Sequence, residues 1–164
     1  MALEFSPQAR QRLQAVRDRY PNAQAACLPA LWIAQEEFGF VPEEAVDLVA
    51  RELGLSPAHV HGVVTFYTMY QRKKPGRYHL QLCTNIACMV NGAYNLLTHL
   101  TEKLRIKPGE TTPDGVFTLS EVECLACCGQ APAMLVNDAY HYDLTREKVD
   151  DLIAGLWGKG TSHV

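Results

Sequence analysis

Three thiols crowd the stretch ECLACCGQAP, residues 123 to 132, at Cys124, Cys127 and Cys128, and two more stand earlier in CTNIACMVNGA at Cys83 and Cys88. A disulfide or a CxxC redox couple uses two thiols, whereas a structural zinc ion or an iron-sulfur cluster commonly takes four. The four-residue gap between Cys83 and Cys88 is found in plant-type ferredoxins and lies at the edge of the range for zinc, so spacing leans toward iron-sulfur. It leaves open whether Cys124 is joined by Cys127 or by Cys128. A redox couple at Cys124 and Cys127 needs a helix N-terminus to activate its thiolate. Gly129, Gln130, Ala131 and Pro132 follow instead, and then a strand-like AMLV, so no helix is expected there.

These thiols must be positioned by the elements around them. Cys83 closes the alternating segment RYHLQLC, and Cys88 stands in a loop just ahead of a helical pattern over residues 91 to 104. Cys124 follows DGVFTLSEVEC, a turn and then a strand. Loops that leave neighbouring strands at one end lie side by side, so the two cysteine loops can converge on one site. Beyond them, AMLVND and AYHYD read as a hairpin, and Thr145 caps a last amphipathic helix through Trp157. A strand, a helix, three strands and a helix suit a small thioredoxin-like α/β layer.

The first half has a different period. Ser6-Pro7 opens a helix that ends near Tyr20-Pro21. A second pattern runs from about Ala25 to Phe38 and stops at Gly39, a third runs from Pro42 to Gly54, and Ser56-Pro57 starts a fourth through Val64. The fold class expected is therefore α+β: a four-helix region over residues 1–74, then a thioredoxin-like domain over residues 75–164. The boundary is a basic stretch, Arg72, Lys73, Lys74 and Arg77, which reads first as a solvated linker and second as a docking patch for an acidic partner.

Whole-chain totals are those of an ordinary globular protein, 48% hydrophobic and 20% charged, and a formal charge of -3 gives no reason to expect nucleic acid. The N-terminal MALEFSPQARQRLQ has no apolar core of a secretory signal, and no window offers the run of about 18 apolar residues that a membrane span needs. A cytoplasmic setting is expected, where thiols stay reduced and clustered cysteines point to metal or catalysis. No GxGxxG follows a strand and no GxxxxGK[ST] is present, so the chain is not expected to bind NAD or flavin by itself.

Other candidates are weaker. Cys27 falls in an apolar helix and reads as a core thiol. His59 and His61 are two apart and share no helix face, while His79, His99 and His141 lack an acidic or cysteine companion at ligand spacing. Glu36-Glu37 and Glu43-Glu44 read as solvated helix faces, and Phe66, Tyr67 and Tyr70 as packing between the two halves.

Taken together, CTNIACMVNGA, VECLACCGQAP and the preceding HVHGVVTFYTMY closely resemble the thioredoxin-like [2Fe-2S] ferredoxin family, across about residues 5 to 157. This family includes the small iron-sulfur subunit of NADH:quinone oxidoreductase (complex I) and its relatives in NAD-linked hydrogenases and formate dehydrogenases. The resemblance implies one [2Fe-2S] cluster on Cys83, Cys88, Cys124 and Cys128, with Cys127 the spare thiol and no catalytic residue on this chain. Backbone amides of the two loops, including those around Ala87 and Gly129, are the expected donors to sulfur. It further implies a flavoprotein partner that binds FMN and NADH, other peripheral-arm subunits of complex I, and a place at the inner face of the plasma membrane through the complex, without direct insertion. A four-cysteine zinc module and a thiol oxidoreductase are the readings from other classes.

Overall fold

The computed structural model describes residues 3–160 and divides the chain into two compact units, one ending at Lys74 and the other beginning at Pro75. In the first unit lie α1 (Pro7–Arg19), α2 (Ala23–Phe38), α3 (Glu43–Leu53) and α4 (Pro57–Phe66). Their starts follow from short polar side chains that accept an otherwise unpaired amide: Ser6 from Ala9, Asn22 from Ala25, and Ser56 from His59. Leucine, valine and alanine at helical spacing in α3 put Ala45, Val46, Leu48, Val49, Ala50 and Leu53 inward. This helix ends at Gly54, whose φ of 67° is costly for a residue with a Cβ, and the Gly54 amide donates to the carbonyls of Ala50 and Arg51.

Cys27 and Tyr70 are buried in this helical core, and the Tyr70 hydroxyl donates to the Leu28 carbonyl at 2.8 Å. Tyr70 thus serves the first unit's own core, while Phe66 remains largely exposed. The paired glutamates are helix-face residues: Glu36 pairs with Arg12, Glu37 accepts from the Ser6 amide, and Glu43 and Glu44 sit in the first turn of α3, where the helix dipole favours them.

The second unit holds β1 (Tyr78–Cys83), α5 (Ile86–Val90), α6 (Ala93–Leu104), β2 (Phe117–Val122), a 3₁₀ turn at Cys128–Gln130, β3 (Met134–Val136), β4 (Ala139–His141) and α7 (Arg146–Gly160). The sheet order is β2-β1-β3-β4, with β1 parallel to β2, and with β3 antiparallel to both β1 and β4. Leu80 and Leu82 of β1, Phe117 and Leu119 of β2, and Met134 and Val136 of β3 share the buried face. Against it pack Leu96, Leu100 and Leu104 of α6 and Val149 and Ile153 of α7.

Phe117 lies at the centre of this core, fully buried, with the Trp157 ring edge-on at 5.3 Å and Tyr78 at 5.8 Å. The incoming chain passes so close to β2 that a Cβ at Gly76 would stand 2.8 Å from the Phe117 carbonyl carbon. His99 does gain an acidic companion, from a distant part of the chain: its Nε2 is 2.8 Å from Asp150, which also holds Lys103, and the three tie α6 to α7. Hydrogen bonds from Lys103 and then His99 hold the Asp150 carboxyl below its ordinary range.

Candidate metal centre

The register of the parallel pair places the site. Cys83, the last residue of β1, stands beside Val122, the last residue of β2, so both strands release their loops at the same level. The Thr84 amide donates to the Val122 carbonyl and its hydroxyl to Glu121, and this joins the two loops at their origin. On the other side of β1, the Cys83 amide donates to the Ala133 carbonyl, which fixes the end of the second loop as well.

Cys88, expected in a loop, lies instead in α5, a single helical turn. Asn85 caps that turn by accepting from the Ile86 amide at 2.7 Å, a local side-chain preference that competes with the longer pattern beginning at residue 91. The second loop carries the other three thiols. It contains the 3₁₀ turn Cys128–Gln130, with Cys127 as its N-cap, where no helix was expected; three residues are too few to build the helix N-terminus that activates a redox thiolate.

The two loops enclose a cavity of about 320 Å³ lined by Cys83, Cys88, Cys124, Cys127 and Cys128 together with Asn85, Ile86 and Ala87. Cys83 and Cys88 form its buried wall, at 4% and 3% exposure, whereas Cys124 and Cys128 stand at the exposed rim. Cys127 lies between these layers and packs, half-buried, against the group that contains Cys83, Cys88, Ala93 and Ala133. Burial pushes the Cys88 thiol above its ordinary range; an amide from Ala133 acts the other way, and the nearby Cys83 and Cys128 thiols raise it further. A metal that binds here must displace those protons.

The donor chemistry fits an iron-sulfur cluster. All the metal-ligating side chains in the cavity wall are thiols, soft donors suited to iron-sulfur or zinc. A [2Fe-2S] cluster is commonly held by four cysteine thiolates, and five thiols line this wall. Two amides address the sulfurs: Ala126 N–H donates to Cys124 Sγ at 3.3 Å, and Ala133 N–H donates to Cys88. The sequence pointed to amides of the two loops, those around Ala87 and Gly129 among them; Ala126 is in the second loop, and Ala87 lines the cavity.

Ala126 reaches its position at φ 58°, a left-handed conformation that costs an alanine about 1–2 kcal/mol. Replacing Ala126 with glycine removes this strain but adds unfolded-chain entropy of about 0.5–1 kcal/mol, so a net stabilisation of about 0.5 kcal/mol is expected by urea unfolding. A clear loss of stability would show that the alanine side chain contributes packing which outweighs the strain.

The remaining candidates do not join the site. Cys27 belongs to the helical core. His79 faces Ser120 at 2.7 Å, with burial lowering its pKa, and His61 lies 3.4 Å from Glu43.

The family described as thioredoxin-like [2Fe-2S] ferredoxin matches residues 13–157. A subunit of the NADH-quinone oxidoreductase of Rhizobium meliloti (strain 1021) is 47% identical over 144 residues, covering 88% of this chain and 86% of its own length. A subunit of the corresponding Escherichia coli (strain K12) oxidoreductase is 36% identical over 152 residues, covering 93% and 92%. Among solved structures, an NAD+-reducing [NiFe]-hydrogenase in the air-oxidized state superposes with a TM-score of 0.71 at 25% identity over 81% of this chain, which spans only 23% of that larger one. With the cysteine loops placed as they are, the match over residues 13–157 settles the family: the chain belongs to the thioredoxin-like [2Fe-2S] ferredoxins.

Proposed function

We propose that this chain is the electron-transfer subunit of an NADH-quinone oxidoreductase and holds one [2Fe-2S] cluster on Cys83, Cys88, Cys124 and Cys128. The observation that carries the reading is the 47% identity to a subunit of the Rhizobium meliloti NADH-quinone oxidoreductase over nearly the full length of both chains. Cys83 and Cys88 would hold the cluster from the buried wall, and Cys124 and Cys128 from the rim. When bound, the cluster supplies a one-electron redox change. The protein's part is to exclude water on the α5 side, to donate amides to sulfur from Ala126 and Ala133, and to present the rim to a partner. In this reading residues 75–164 are the redox domain and residues 1–74 a helical domain attached to it. The chain carries electrons and performs no bond chemistry on a substrate.

The partner is a flavoprotein that binds NADH and FMN, joined by other subunits of the peripheral arm on the cytoplasmic side of the membrane. Ile86 and Val90 support such docking: they flank Cys88 on α5 and are 71% and 75% exposed, more apolar surface than a monomer has reason to show beside a redox site. Among the described residues no helix is long and apolar enough to cross a membrane.

A tagged copy of the chain, expressed in its own organism and recovered from a mild detergent extract, should bring with it FMN and NADH-oxidising activity. The likeness to the NAD+-reducing hydrogenase supports a second reading, a diaphorase subunit of such an enzyme. That reading predicts nickel and hydrogen-dependent NAD+ reduction in the recovered complex. Recovery of the chain without any flavoprotein would overturn both.

A further inference from the structure

We propose that Cys127 is a reserve ligand, able to replace Cys128 in holding the cluster. This rests on the ligand set proposed above and extends it to a thiol that the set leaves unused. Cys127 and Cys128 are consecutive, yet both line the same cavity. They differ in depth: Cys128 is at the exposed rim, while Cys127 packs against the group that contains the inner ligands Cys83 and Cys88. A thiol that merely filled space at the surface would not need to share a wall with the four ligands.

What keeps Cys127 from the metal is slight. Its Sγ–H donates to the Leu125 carbonyl at 3.0 Å, a local bond between residues two apart and worth little net free energy when exchanged for another partner. The loop that must shift is lightly held. From Cys124 to Gly129 its hydrogen bonds are internal, the Ala126 amide to Cys124 and the Gln130 amide to the Cys127 carbonyl, and the first long-range tie is the Asp143 amide on the Gln130 carbonyl. Gly129, just beyond Cys128, has open space where a Cβ would stand. The loop's remaining hold is the packing of Leu125 and Cys127 against the inner wall, and a segment without long-range hydrogen bonds opens more readily than the sheet it leaves.

The exchange balances without redox chemistry. One iron–sulfur bond to Cys128 gives way to one from Cys127. The Cys127 proton passes to the Cys128 sulfur, or to solvent where Cys128 has been removed, and no electron moves. The device keeps the cluster bound when the rim thiol, the more accessible of the two, is lost to oxidation or alkylation.

The test compares the full chain with Cys127→Ala, Cys128→Ala and the double variant, all prepared anaerobically. Alanine is used because a serine hydroxyl could itself bind iron. Iron, acid-labile sulfide, visible absorption and EPR are read on each, together with alkylation of Cys127 by iodoacetamide, located by mass spectrometry. Cys127→Ala should match the wild type. Cys128→Ala should keep most of its iron and sulfide with a shifted spectrum and with Cys127 now protected from alkylation. The double variant should lose cluster by about ten-fold or more. Equal loss in Cys128→Ala and the double variant, or a Cys127 that alkylates as readily in loaded Cys128→Ala as in wild type, would overturn the reserve role. Loss in Cys127→Ala with an unshifted spectrum in Cys128→Ala would overturn the ligand set itself, a distinct outcome.

Discussion

Replacing Cys88 with alanine strips the cluster and leaves the fold in place. Cys88 is the most enclosed of the four proposed ligands, 3% exposed on α5, with Cys83 beside it and the Ala133 amide aimed at its sulfur. Its loss would leave Cys83 as the one thiol of the buried wall, and Cys127, beside Cys128 on the second loop, is proposed to stand in for its neighbour rather than for Cys88. Removing a thiolate bonded directly to iron should lower cluster binding by more than the roughly 10- to 100-fold that changes farther from the metal cause. Cysteine to alanine removes little volume, so far-UV circular dichroism should match that of the cluster-free wild type. Full iron and sulfide in the purified variant would break the four-thiolate account.

Phe117→Ala is the largest effect expected on stability. This side chain is fully buried where β2 meets α7, between the rings of Trp157 and Tyr78, and its removal should cost about 3–5 kcal/mol. Set against a typical domain stability of about 5–15 kcal/mol, that is a large share. In a domain of this size the thermal midpoint should fall by more than about ten degrees. Phe117 begins the strand whose end launches the loop of Cys124, so the variant should also release iron at a lower temperature than the wild type. A midpoint within about two degrees of wild type would mean that the sheet and α7 do not share the core described here.

The convergence of the two cysteine loops was legible in the sequence because strand ends are marked twice, by alternation in RYHLQLC and by the Asp114-Gly115 turn before FTLSEV. Parallel pairing of β1 and β2 then brings Cys83 level with Val122. The helical caps Ser6 and Ser56 were legible for a related reason: a short hydroxyl side chain ahead of a proline has few other local roles.

What escaped was set by tertiary contact or by local backbone geometry. α5 has five residues, too few to show a period, and depends on the Asn85 cap. The left-handed Ala126 cannot be read from an alanine, since a residue of that type ordinarily avoids φ 58°. The Ala133 amide reaches Cys88 only because β3 lies beside β1 in the sheet. His99 gains Asp150 across 51 positions of sequence, a partnership that appears only when α6 and α7 pack together. Tyr70, read as packing between the halves, turned inward because its hydroxyl finds the Leu28 carbonyl in the helical core.

These thiols are proposed to hold a binuclear iron-sulfur cluster. The most direct test is chemical analysis of the chain purified without exposure to air, followed by EPR after dithionite reduction. Two irons, two acid-labile sulfides and one spin-half signal per chain are predicted. Zinc with no sulfide would contradict the account and make this domain a structural metal module.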